Sequence, residues 1–141
     1  MRVPKSHDRI SAELMLRDYE QNKIDRAARR ATILLRTSPR PDIAIFSKGN
    51  DQDDTANRAA ALQSDALIQR LTGEIRAVEH ANAMCRCVRN GKTISKIIDL
   101  VYKKGTHTMA GAAQKCGIRS EVWAGKLAAR YFQWINDYFQ L

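Results

Sequence analysis

No run of about 18 consecutive apolar residues occurs in the 141-residue chain, so no membrane-spanning helix is expected. The opening Met1-Arg2-Val3-Pro4-Lys5-Ser6-His7-Asp8 lacks the apolar middle of a signal peptide, and a cytoplasmic protein is expected. Cysteine is scarce. Cys85, Cys87 and Cys116 are too few and too odd in number for a disulfide framework, which points to reduced thiols. Cys85 and Cys87 do not form a metal pair, because helical residues two apart point roughly 200° apart. His80 and His107 lack the paired spacing of zinc ligands. Asp51-Gln52-Asp53-Asp54 lacks the glycine and closing glutamate of a calcium loop, and reads as a solvated acidic loop. A glycine-rich phosphate loop, a Ser/His/Asp or Cys/His set and a carboxylate pair in a recognisable context are missing too. This argues against an enzyme. Neither a metal nor a cofactor is expected.

What the chain has in excess is positive charge. Lys and Arg number 24 against 15 Asp and Glu, a net +9. The excess is uneven: +5 over residues 1–40, −3 over residues 41–80 and +7 over residues 81–141. An acidic spacer between two basic pieces fits a binder of polyanions, whose contact patch must be local.

The periodicity predicts an all-α chain. Ile24, Ala27, Ala28, Ala31, Leu34 and Leu35 draw one stripe on a helix. Lys23, Arg26, Arg29 and Arg30 on the same helix would be solvated or packed in a dimer. Ser11 is placed as the cap of a preceding helix holding Leu14, Leu16 and Tyr19. Ser38-Pro39-Arg40-Pro41 ends this region, and residues 37–55 read as a loop and linker in which Ile43–Phe46 alone could form a strand. A second helix is predicted from about Ala56 to Arg89, bent or divided at Gly73. Asn90-Gly91 would stop it, Gly91 in a left-handed conformation. Thr93 would cap a third helix with Ile94, Ile97, Ile98, Val101 and Tyr102 on one face, closed by Lys103-Lys104-Gly105.

The last third carries the functional pattern. Thr108 can cap a short helix, Met109–Cys116. Gly117 supplies a turn with positive φ, and Ser120 can cap a long helix to about Gln140. This is the plan of a helix-turn-helix. Ala113 is small where the helices would touch, and Ile118 and Trp123 would plug their angle. Trp123, Leu127, Tyr131, Trp134 and Tyr138, with Ala124, Ala128, Ile135 and Phe139, fill the apolar side. Val122, Gly125, Lys126, Ala129, Arg130 and Gln133 form the opposite side. On it, Lys126 and Arg130 would meet phosphates or base edges while small residues permit close approach. Arg119, Ser120 and Glu121 lie at the helix N-terminus, Val122 could touch a thymine methyl, and Lys103, Lys104, Thr108 and Lys115 would flank the backbone contacts.

Ile97-Ile98-x-x-x-Tyr102, Ala113-x-x-x-Gly117-Ile118 and Tyr131-Phe132-x-Trp134 make residues 93–141 resemble the C-terminal part of the ArpU/RinA-like phage transcriptional regulators. Those are similar in turn to the fourth region of housekeeping sigma factors. The resemblance implies activation of late phage operons in a bacterial cytoplasm. The expected organisation is a basic N-terminal helix and linker over residues 1–55, a central helical region for packing or oligomerisation over residues 56–92, and a DNA-binding unit over residues 93–141. Double-stranded DNA is the expected partner, with RNA polymerase and a second copy of the chain as further candidates and no membrane. A small terminase-like packaging adaptor and a helical protein–protein module contacting RNA polymerase are the alternatives.

Overall fold

The computed structural model describes residues 7–37 and 51–141. These form an all-α fold: α1 (His7–Arg17), α2 (Tyr19–Thr37), α3 (Asp51–Ser64), α4 (Ala66–Cys87), α5 (Gly91–Ile98), a π-helical turn (Asp99–Lys103), α6 (Met109–Lys115) and α7 (Glu121–Tyr138). Among the described residues, no helix is long and apolar enough to cross a membrane. The chain falls into two compact units, one of residues up to Glu20 with Glu74–Leu141, the other Gln21–Gly73.

The larger unit is built around α7, against which α1, α5 and α6 all pack. Tyr131, Phe132, Leu127 and Ile135 from α7 share a core with Ile94, Ile97 and Ile98 from α5 and with Ala77, Val78 and Ala81 from α4. Alanines at the crossings, Ala12, Ala112, Ala113, Ala124 and Ala128, are buried almost completely and let the backbones approach. Aromatic edges knit the centre: Tyr102 meets Phe132 at 4.9 Å between ring centroids, and Tyr131 meets Phe132 at 5.6 Å. Arg9 fastens α1 to this cluster. Its guanidinium lies 4.1 Å from the Phe132 ring centroid and donates to the Tyr102 hydroxyl (3.1 Å) and to Glu13 (3.0 Å).

Several boundaries differ from the sequence-based expectation. Ser11 and Thr93 are not caps, since α1 begins at His7 and α5 at Gly91, so both lie inside helices. Residues 51–55 open α3 instead of continuing the loop. Ile43–Phe46 and Ser38–Pro41 lie outside the described residues. The long helix divides at Asp65, not at Gly73. Asp65 is the stronger punctuation because its carboxylate accepts the Ile68 N–H at 3.0 Å, satisfying a donor at the first turn of α4. Gly91 does not adopt positive φ. It is needed because a Cβ there would land on the carbonyl oxygen of Cys85, so only glycine lets α5 leave α4 this tightly.

The smaller unit holds the largest departure. The stripe on α2 is not its packed side: Ile24 is 61 % exposed and Leu35 78 %, and Ala27, Ala28 and Ala31 are exposed. The packed side instead runs through Asn22, Arg26, Arg29 and Ile33, at steps of four, three and four. Arg29 forms a bidentate pair with Asp65 (2.9 and 3.2 Å), and Arg26 donates to the Thr72 hydroxyl at 3.4 Å. Two arginines expected to be solvated or to meet another chain are therefore drawn inward by acceptors at the start of α4 and within it, Asp65 and Thr72. Asp65 both caps α4 and anchors α2.

Candidate nucleic-acid interface

The turn between α6 and α7 follows from the conformational freedom of one residue. Gly117 has φ +72°, a left-handed conformation costly to residues with a Cβ. With it in place, the Ile118 N–H donates to the Ala113 carbonyl (2.8 Å) and the Gly117 N–H to the Gln114 carbonyl (3.1 Å). This paired closure terminates α6 and seats Ile118 against the core. The chain then extends to Ser120, whose hydroxyl accepts the Trp123 N–H at 3.2 Å and starts α7. Thr108 does the same for α6, accepting the Gly111 N–H at 3.1 Å. Gly105, with φ +64°, closes the π-helical turn before it.

The outward face of α7 presents Val122, Lys126, Ala129, Arg130 and Gln133, all exposed. Arg119 and Glu121 are exposed at its start, and Lys115 and Lys104 are exposed nearby in the chain. Of these cations, Arg130 lies 5.5 Å from the Trp134 ring centroid. None has a carboxylate partner among the described residues. Lys103 differs: its ammonium lies 3.4 Å from the Asp99 carboxylate, and it lines a cleft with residues of α4 and α5. Thr108 and Ser120 have their hydroxyl oxygens engaged as caps.

Gly125 sits mid-helix on α7, and a Cβ there would meet nothing within 4 Å. Glycine in a helix interior costs about 1 kcal/mol relative to alanine, and no packing among the described residues requires it. Its effect is to leave a bare strip of backbone beside Lys126.

The spacing places Trp123 and Phe139 on the apolar side, yet Trp123 is 49 % exposed and Phe139 50 %. Phe132, not counted on that side, is 1 % exposed. The buried sector of α7 centres on Ala124, Leu127, Ala128, Tyr131, Phe132 and Ile135, which rotates Trp123 outward beside Val122. Its four-residue spacing from Leu127 pointed to the core. The contrary signal was its place in the first turn, ahead of the helix crossing. Trp123 therefore joins the exposed candidates. Cys85 is buried and Cys87 exposed, as their helical separation dictates.

Neither a protein-family model, a curated protein nor a solved structure matches the chain.

Proposed function

We propose that this protein is a non-enzymatic, sequence-specific DNA-binding regulator of transcription that presses α7 into the major groove. The observation that carries this reading is the outward face of α7. There, Lys126 and Arg130, neither with a carboxylate partner among the described residues, flank the bare backbone of Gly125 and Ala129, on a helix aimed by the α6–Gly117–α7 turn. Small residues admit the groove wall, and cations on either side neutralise phosphates or meet base edges. Arg119, Glu121 and Val122 at the start of α7 are the base-reading candidates, with Trp123 beside them. Lys104 and Lys115 take flanking phosphates. The resemblance of residues 93–141 to ArpU/RinA-like regulators supports control of phage or prophage late genes.

Anisotropy of a labelled duplex, measured across a salt series, tests the reading. About six phosphate contacts predict a log–log slope of about −5. Lys126→Ala with Arg130→Ala should weaken binding and flatten that slope by about 2. A flat salt response, or unchanged affinity in the double variant, contradicts it. A second reading, a helical protein–protein module contacting RNA polymerase, is favoured by the exposed apolar residues of α2. Tight polymerase binding without duplex affinity would select it.

A further inference from the structure

A second basic feature lies at the α4–α5 corner. A cleft of about 890 Å³ is lined by Arg86 and Arg89 from α4 and by Lys92, Lys96, Asp99 and Lys103 along one side of α5 and the π-helical turn. Five cations surround one carboxylate, and that carboxylate is already engaged by Lys103 at 3.4 Å. Arg86, Arg89, Lys92 and Lys96 are exposed and have no carboxylate partner among the described residues. Their proximity is imposed by the fold, because Gly91 brings the start of α5 against the Cys85 carbonyl. Unneutralised like charges held together by a rigid corner oppose folding. A polyanion in the cleft would remove that repulsion.

The shape of the site narrows the ligand. Lys92, Lys96, Asp99 and Lys103 span 11 residue steps, roughly 16 Å of helix. That is the rise of about four or five nucleotides of one DNA strand, and longer than a single phosphate group needs. Among the described residues no aromatic side chain lines the cleft, so a base has no ring to stack on, as it would in a site for single strands. The π-helical turn in its wall is an irregularity that recurs at functional sites.

We propose that the α4–α5 cleft is a second DNA site, which binds the phosphate backbone of a duplex without reading its sequence. This rests on the reading of the protein as a DNA binder but uses residues separate from the face of α7. The test compares two variants of the full chain on a labelled 30-base-pair duplex (about 30, chosen to exceed one recognition footprint). Arg86→Ala/Lys92→Ala/Lys96→Ala should lower the magnitude of the salt slope by about 2.7 and weaken binding roughly a hundredfold at low salt, with the preferred sequence unchanged. Unchanged slope and affinity in that variant overturn the cleft site, even if Lys126→Ala/Arg130→Ala still weakens binding. The reverse pattern, loss from the cleft variant alone, supports the cleft and contradicts the role given to α7. Absence of duplex binding by the native chain overturns both. Amide NMR shifts of Lys92, Ser95 and Lys96 on adding duplex to the native protein give the same answer should the variant not fold. Unmoved resonances overturn the cleft site.

Discussion

Tyr131 shows how much one buried polar atom fixes. Its ring is fully buried, and its hydroxyl donates to Asn82 Oδ1 at 2.7 Å, joining α7 to α4 at the centre of the core. Burial, with lesser contributions from Cys85, Asp99 and Tyr19, pushes the phenol above its ordinary value. The neutral form is favoured in the folded state. Its contribution is therefore present in full below about pH 10, the unfolded value, and is lost as pH rises toward the folded one. Tyr131→Phe should cost about 1 kcal/mol by chemical denaturation and should blunt the loss of stability above pH 10. An unaltered alkaline limb would show that another group controls it. Gly117→Ala should cost about 1–2 kcal/mol because of its positive φ. Gly91→Ala should be worse, since a Cβ there meets backbone that cannot yield. The two glycines illustrate different degrees of legibility. A left-handed turn after a short helix could be anticipated from Gly117 and its neighbours. The clash that requires Gly91 exists only once α4 and α5 are both in place.

At the scale of the element, short-range chemistry was readable and competition between signals was not. Thr108 and Ser120 cap their helices as their hydroxyls before helical runs predict. The sequence reading places the break in the long helix at Gly73, whereas the helix divides at Asp65. A helix tolerates one glycine, whereas a carboxylate that can accept the next turn's N–H and also hold Arg29 creates a new start. Asp65 is held below the usual carboxylate range, first by its hydrogen bonds with Arg29 and then by the Ile68 N–H. A lowered folded value means the contribution is present above about pH 4, the unfolded value, and is lost as pH falls through the folded one. Asp65→Asn keeps a capping side chain but removes the charge. It should lower the thermal midpoint near neutral pH and remove part of the midpoint's decline at acid pH. Equal acid sensitivity in both proteins would contradict the pairing. Gly125 separates fold from function on α7. Gly125→Ala should raise stability by about 1 kcal/mol. Gly125→Leu should leave the helix intact yet weaken duplex binding and erase its sequence preference. Native-like binding by the leucine variant would mean this strip approaches nothing.

For the whole molecule, the helical class, the charge asymmetry and the α6–turn–α7 plan were visible in one sequence, because each rests on local periodicity or composition. The direction in which α2 faces was not. Half of its apolar stripe is alanine, a weak hydrophobic signal, and two arginine contacts, to Asp65 and to Thr72 on α4, outweigh it. The α4–α5 cleft was hidden for another reason: Arg86, Arg89, Lys92 and Lys96 lie close together in sequence but on either side of a helix break, and they share one cleft only at a corner that Gly91 permits. The +7 of residues 81–141 thus includes two groups of cations that mostly lack a carboxylate partner among the described residues, one on the outward side of α7 and one around the cleft. The most direct test is selection of bound duplexes from a random pool by the native chain and by Arg119→Ala. Sequence reading by the start of α7 predicts an enriched motif for the native chain and relaxed preference at one position for the variant, equivalent to about 1–3 kcal/mol of lost discrimination. Recovery of no enriched sequence, or of the same motif at undiminished preference from both proteins, would contradict it.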